Sequence, residues 1–309
     1  MNYLVIGGSG LIGSRFVELT KKNNIILSPG EKELDITSGP SVNNFFKNSK
    51  FDIVVNFAAY TNVDGAEKER PPAHRASGPE GDKKGIVWGL NVGAAENLAK
   101  ACKKYDKFLI HISTDFIFPG TKENPGPYAE DVELPGEMEK IGWYGWTKLE
   151  GEKQVRKINK NAAIVRTAYP FRTAYEQKLD FARNILALFD EGKLYPLFSD
   201  QKLTPVLIDD LVGVLEKIAN LKRPGIYHTV TSDVTTPYDF ANYLLEKARG
   251  VKNAVIKGSM EEYLKTPDRT PRPRLGGLKS EKTQKILGMK FKTWRESVDE
   301  FVRQVKSAK

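Results

Sequence analysis

The chain has 309 residues, 40% of them hydrophobic and 28% charged, which is enough apolar material for two domains or one large α/β unit. A single cysteine, Cys102, excludes an internal disulfide framework and a Cys-rich zinc site, and fits a reducing compartment. No apolar run reaches the ~18 residues of a membrane span. The start, Met1-Asn2-Tyr3, lacks the basic region of a signal peptide, so a cytoplasmic protein is expected.

The formal net charge is +9. Residues 265–309 hold 13 Lys or Arg against 5 Asp or Glu, so nearly all of the excess is C-terminal. That distribution argues against a diffuse nucleic-acid surface.

In chain order, the apolar patterning predicts strands over 3–6, 25–27, 51–57, 107–113 and 162–166, alternating with helices over 11–22, 42–48, 88–105 and 145–158. Strand–helix alternation with β-branched strands means an α/β fold, a doubly wound parallel sheet covered on both faces. The second half predicts helices over 180–191, 208–221, 237–247, 280–287 and 294–306, with short strands near 226–228 and 254–256. These are too scattered for a second such sheet, so a smaller mixed C-terminal lobe is expected. Residues 1–168 read as the first domain, joined by later interleaved segments, and 169–309 mainly as the second. Two Pro- and Gly-rich loops lie at 70–85 and 120–142.

Gly7-Gly8-Ser9-Gly10-Leu11-Ile12-Gly13 follows the first strand and opens a helix. Small residues there allow a tight turn, close approach of backbone to a pyrophosphate and helix–strand packing, while the helix N-terminus offers a positive dipole end. An NAD binder usually carries an acid about 20 residues further on. The second strand instead ends Leu27-Ser28-Pro29-Gly30, and Ser28 or Lys32 suits a 2′-phosphate, so NADP(H) is favoured over NAD(H).

Tyr144 and Lys148 are four residues apart and share a helix face. An ammonium beside a phenol favours the phenolate, so the pair can exchange a proton with a carbonyl or alcohol. Ser113 and Thr114 close the preceding strand, at the carboxyl end where ligands of open α/β sheets bind. Three histidines in different segments, His74, His111 and His228, predict no metal site. His111 and His228 read as satisfied core residues.

Together these residues resemble the extended short-chain dehydrogenase/reductases and, within them, the dTDP-4-dehydrorhamnose reductase family. The matching segments run in order along nearly the whole chain: DIVVNFAAYTNVDGAE from Asp52, HISTDFIFPG from His111, YGWTKLEGE from Tyr144, Arg166-Thr167, Asp200-Gln201, Thr204-Pro205 with Asp209, GIYH from Gly225, Tyr238-Asp239-Phe240 and Arg272-Pro273.

The resemblance implies a Rossmann domain with a substrate lobe, and hydride transfer from NAD(P)H to the 4-keto group of a nucleotide-activated deoxysugar, as in dTDP-rhamnose biosynthesis. It implies Thr114, Tyr144 and Lys148 as the catalytic triad, and Gly7, Gly10 and Gly13, with Leu11 and Ile12 between them, as the pyrophosphate turn. It further implies Asp35-Ile36 beside the adenine, Ala58, Ala59 and Tyr60 under the cofactor, and Asn91 on a neighbouring helix. Thr114, Asp115 and Tyr169 are implied at the substrate, and the C-terminal basic excess points to Arg272 or Arg274 as a bidentate partner of the nucleotide diphosphate. Expected partners are a nucleotide-sugar substrate, no nucleic acid and no membrane, with a homodimer as the assembly considered.

Asp115-Phe116 stands where sugar 4,6-dehydratases carry Asp-Glu, which favours a reductase; a nucleotide-sugar 4-epimerase stays open. So does an NADP-binding regulatory subunit like the beta subunit of methionine adenosyltransferase, because the chain reads Arg166-Thr167-Ala168-Tyr169-Pro170-Phe171-Arg172 where the family has Arg-Thr-Ser-Trp-Val-Tyr-Gly. The loop 70–85 and the stretch 136–142 are also longer than the family pattern.

Overall fold

The computed structural model describes residues 1–71, 85–133 and 140–307. His74, most of the 70–85 loop and 134–139 of the second loop lie outside the described residues. In chain order the strands are β1 (Asn2–Ile6), β2 (Ile25–Leu27), β3 (Ile53–Asn56), β4 (Phe108–Thr114), β5 (Ala162–Thr167), β6 (Pro170–Phe171), β7 (Leu197–Phe198), β8 (Val206–Leu207), β9 (Gly225–His228) and β10 (Lys257–Gly258). The chain forms two compact units. One comprises Met1–Ile117, Leu134–Arg166 and Val212–Tyr227; the other comprises Phe118–Glu133, Thr167–Leu211 and His228–Lys309.

The first unit holds a six-stranded sheet in the order β2-β1-β3-β4-β5-β9, with β1 parallel to β2 and β3, and β3 parallel to β4. It is the expected Rossmann-type doubly wound sheet. Every residue of β3, β4 and β5 is buried, because helices cover both faces. On one face Leu4, Val54, Leu109 and Ile164 pack with Val42 and Phe46 of the helix Gly39–Asn48 and Leu98 and Cys102 of the helix Ala94–Lys104. On the other, Phe16 of the helix Leu11–Thr20 meets Tyr3 edge-on at 5.5 Å.

Most predicted elements are present with ends shifted by one to three residues, and capping explains several shifts. The helix predicted over 42–48 begins at Gly39, because Ser38 accepts the Ser41 N–H at 3.3 Å and Pro40 pre-sets the first turn. The strand read near 226–228 joins the first unit's sheet as β9 rather than a strand of the smaller lobe. The strand read at 254–256 lies instead at β10. The six-residue helices Val63–Lys68 and Met260–Lys265 escaped the sequence reading, being too short to show a helical period.

The second unit has two small parallel sheets, β6 with β8 and β7 with β10. Its core is aromatic. Phe240, fully buried on the helix Pro237–Arg249, meets the rings of Phe171 at 5.5 Å, Phe181 at 5.0 Å and Trp294 at 6.1 Å. Much of the C-terminal basic excess is matched here by acids: Lys292 pairs with Asp210 at 2.7 Å and Lys282 with Asp131 at 3.4 Å. No helix among the described residues is long and apolar enough to cross a membrane. Phe240→Ala removes the centre of the aromatic cluster and should lower unfolding stability by about 3–5 kcal/mol, read by urea titration.

Candidate functional site

The order β2-β1-β3 makes the carboxyl ends of β1 and β3 a topological switch point, where open α/β sheets bind ligands. Two segments leave the sheet there. Gly7 turns with φ +73, and a Cβ on it would come within 2.8 Å of the Ala58 nitrogen. Gly10 donates to the Gly7 carbonyl at 3.0 Å, and a Cβ at Gly13 would run into that same oxygen. The helix Leu11–Thr20 begins from Gly10 without a side-chain cap. This glycine-lined turn at a helix N-terminus fits a dinucleotide pyrophosphate.

At the tip of β2, the Ser28 hydroxyl occupies the place a Gly8 side chain would need, so Ser28 stands directly beside the turn. Ser28 and Lys32 are both exposed. The nearby Glu33 carboxylate turns back to accept the Gly30 N–H at 2.8 Å. Asp35 accepts from the Thr37 N–H at 2.8 Å and the Thr37 hydroxyl at 2.6 Å, contacts that lower its carboxyl below the usual range. Ile36 is buried beside it.

Thr114 ends β4, and Tyr144 and Lys148 lie on the helix Trp143–Ile158. The Thr114 hydroxyl lies beside the Tyr144 phenol and pulls its pKa down. Lys148 is buried, with Nζ donating to the Ile112 carbonyl at 2.7 Å. Burial pushes the lysine down to about 8, while Glu152, one turn further along, opposes that shift. Glu152 is itself buried and held by both nitrogens of the Arg166 fork, at 2.7–3.2 Å. The expectation that Lys148 lowers the phenol is corrected: burial pushes Tyr144 up to about 12, with the Asp115 charge adding to it. The ammonium is directed at the Ile112 carbonyl, so its charge does not offset the desolvation of the phenol.

The segment after β3 is held from two sides. Asn91 sits in a π-helical turn, Gly89–Gly93, that interrupts the helix predicted over 88–105. Its amide accepts the Tyr60 N–H at 2.8 Å and donates to the Tyr60 carbonyl at 3.3 Å and the Thr147 hydroxyl at 2.9 Å. Asn91 therefore ties the Ala58-Ala59-Tyr60 segment to the helix of Tyr144. From below, Asn56 Oδ1 accepts the Ala58 N–H at 3.1 Å, while its amide lies 3.1 Å from His111 Nδ1. Burial, and next the Lys148 charge, hold His111 well below its usual value, so it is neutral and Nδ1 is the acceptor. Sequence reading placed His111 in the core but missed this support, since β3 and β4 meet only through the sheet register, Asn56 opposite His111.

It also missed two remote caps. The helix Trp143–Ile158 has no side-chain cap of its own and no acid in its first turn. Glu67 supplies both, accepting the Trp143 N–H at 2.7 Å while paired with Arg70 at 2.8 Å. Glu69 does the same for Val87 at 3.0 Å, at the start of the helix leading to Asn91. The only sequence signal was the acidic end of the motif from Asp52.

In the second unit, Tyr169 has left-handed backbone at φ +42, with its hydroxyl accepting from Gln201 at 3.0 Å and its ring edge-on to Phe181 at 5.3 Å. Such a backbone costs about 1–2 kcal/mol in a non-glycine residue, so these contacts over-determine it. Arg172 is buried, its N–H on Asp180 at 3.3 Å. Arg274 lies between Glu261 at 3.3 Å and Asp200 at 3.6 Å, so its charge is largely matched; Arg272 is half-buried two residues earlier. Among the described residues no group of three or more His, Cys, Asp or Glu is placed to hold a metal.

Glu67→Ala removes a charged cap from the helix that carries Tyr144 and Lys148. It should cost about 1–2 kcal/mol in chemical denaturation, with Glu67→Gln costing less because it keeps an acceptor.

Comparison with known proteins gives a consistent result. The profile of the RmlD substrate binding domain matches residues 1–307. A dTDP-4-dehydrorhamnose reductase of Mycolicibacterium smegmatis is 30% identical over 99% of this chain and 86% of its own length. The Escherichia coli K12 protein of the same name is 28% identical over 99% and 98%. The crystal structure of a dTDP-4-dehydrorhamnose reductase from Bacillus anthracis in complex with NADP superimposes with a TM-score of 0.82 at 25% identity, covering 98% of this chain and 99% of that one. With a match that spans both compact units, the chain belongs to the RmlD substrate binding domain family.

Proposed function

We propose that this protein is an NADPH-dependent reductase of a nucleotide-activated 4-keto-deoxysugar, acting in the cytoplasm in dTDP-rhamnose or related deoxysugar synthesis. One observation carries the reading: the Tyr144 phenol lies beside the Thr114 hydroxyl at the end of β4, with Lys148 anchored on the same strand. A glycine turn fit for a pyrophosphate lies in the same compact unit. The relatives' names and the NADP-bound neighbour support the substrate class and the cofactor.

When bound, the dinucleotide supplies the hydride for the keto carbon. The chain's own residues handle the proton and the positioning. Tyr144 keeps its proton at neutral pH, because burial raises the phenol to about 12, and gives it to the carbonyl oxygen as negative charge builds there. Thr114 orients that oxygen. Lys148 holds the nicotinamide ribose and brings its charge to the forming alkoxide. Gly7, Gly10, Leu11, Ile12 and Gly13 hold the pyrophosphate; Ser28 and Lys32 take the 2′-phosphate; Asp35 and Ile36 border the adenine; and the Ala58–Tyr60 segment, braced by Asn91, lies under the ring system. In the second unit Tyr169 packs on the sugar and Arg272 takes the nucleotide diphosphate, with Arg274 in support.

The test is NADPH oxidation with a panel of nucleotide-linked 4-keto-sugars. Tyr144→Phe should lower kcat at least ~100-fold, as expected for losing a positioned acid. No turnover by the wild type on any sugar, alongside tight NADP binding and a stable protein partner, would overturn the reductase reading. NADPH should bind more tightly than NADH, and equal affinity would remove Ser28 and Lys32 as phosphate ligands. Arg272→Ala should raise the sugar-nucleotide KM more than it lowers kcat.

A further inference from the structure

The resemblance assigns Asp115 to the substrate, but its carboxyl is turned inward. The residue is 3% exposed, and its Oδ1 accepts from the Thr114 hydroxyl at 3.2 Å. The same hydroxyl accepts the Phe116 N–H at 3.2 Å and lies beside the Tyr144 phenol. Thr114 is 7% exposed, while Tyr144 is only partly buried. The Thr114 hydroxyl thus stands between a phenol on the open side and the carboxyl it donates to on the closed side.

We propose that Asp115 is a catalytic proton reservoir for Tyr144, acting through the Thr114 hydroxyl. This rests on the reductase reading and deepens it. When Tyr144 gives its proton to the carbonyl oxygen, Thr114 Oγ1 passes its proton to the Tyr144 phenolate. The Asp115 carboxylic acid then protonates Thr114 Oγ1. Three O–H bonds break and three form, on the product alcohol, Tyr144 and Thr114. The negative charge left by the reduction ends on the Asp115 carboxylate. After product leaves, water returns the proton along the same path, through Tyr144, the most exposed of the three.

The carboxyl suits this task. Among the described residues no cation bonds it, and a carboxyl buried without one favours its neutral form. Burial raises it to about 7, against the opposing pull of the Thr114 hydroxyl and two backbone N–H groups. Among the described residues the ionisable group that feels its charge is Tyr144, on the helix Trp143–Ile158. A reservoir must be protonated to act, so its contribution is present below about pH 7 and is lost as pH rises through that value.

The test is Asp115→Asn, which keeps an acceptor for Thr114 but carries no acidic proton. We expect kcat for keto-sugar reduction to fall ~10–100-fold, the sugar KM to stay within about two-fold, and the wild type's decline in kcat near neutral pH to disappear. Unchanged kcat and pH profile would overturn the relay, and so would a raised KM with kcat intact, which marks a substrate contact. A second measurement needs neither turnover nor the variant's folding: carbon-13 NMR of the aspartate-labelled wild type. One buried carboxyl should titrate near neutrality, and Asp115 ionised throughout ~pH 5–9 would sink the proposal. If the wild type reduces no keto-sugar, the reductase reading fails on its own, while the titration still judges the reservoir.

Discussion

The helix that carries Tyr144 and Lys148 runs backbone against backbone. A Cβ at Gly145 would collide with the Phe116 carbonyl oxygen, and one at Gly151 with that of Asn91. Two glycines six residues apart thus press the helix Trp143–Ile158 onto the end of β4 and onto the π-helical turn. That approach brings the Tyr144 hydroxyl to Thr114 and Lys148 Nζ to the Ile112 carbonyl. A side chain at either glycine would push the helix away by more than a hydrogen bond tolerates. The wider π turn at Gly89–Gly93 belongs to the same constraint, because it turns Asn91 toward both Tyr60 and Thr147.

Close packing leaves the buried polar groups around Tyr144 and Lys148 unevenly matched: among the described residues, Ser113 Oγ and His111 Nε2 are buried with no hydrogen-bond partner. Glu152 and Arg166 satisfy each other through a two-pronged contact. Such pairs contribute little net stability, but breaking one leaves a buried charge. Among the described residues Lys148 has a carbonyl and the more distant Glu152 as partners, so burial is poorly compensated and its affinity for a proton is reduced. Among the same residues Asp115 has hydrogen bonds but no bonded cation, and His111 is buried near a positive charge, so both favour their neutral forms. Asp115, raised to about 7, and Lys148, lowered to about 8, therefore respond near neutral pH, whereas His111 stays neutral there.

The glycine turn, Tyr144 with Lys148 and the Ser113-Thr114 strand end were legible because each is a local pattern with a local physical cause. The supports around them were not. Glu67 lies 76 residues from the N–H it caps, and Asn56 lies 55 residues from His111. No spacing rule connects such residues, since parallel pairing and helix docking alone set their proximity. The strand β9 failed for the same reason: its apolar run is plain, but whether it extends the first sheet or belongs to the other lobe depends on a crossover that local sequence does not encode.

By itself, the sequence determined the doubly wound α/β class, the position of the glycine turn and the shared helix face of Tyr144 and Lys148, since periodicity, glycine placement and i,i+4 spacing act over a few residues. The tertiary structure decided how those groups are tuned. It turned Lys148 onto a carbonyl, raised the Tyr144 phenol instead of lowering it, faced Asp115 inward to Thr114 and engaged Arg274 with Asp200 and Glu261. Each of these depends on burial and on partners distant in the chain or pointed to by a folded backbone. Desolvation and Coulomb energy vary with position in the folded protein, and not with order along the chain.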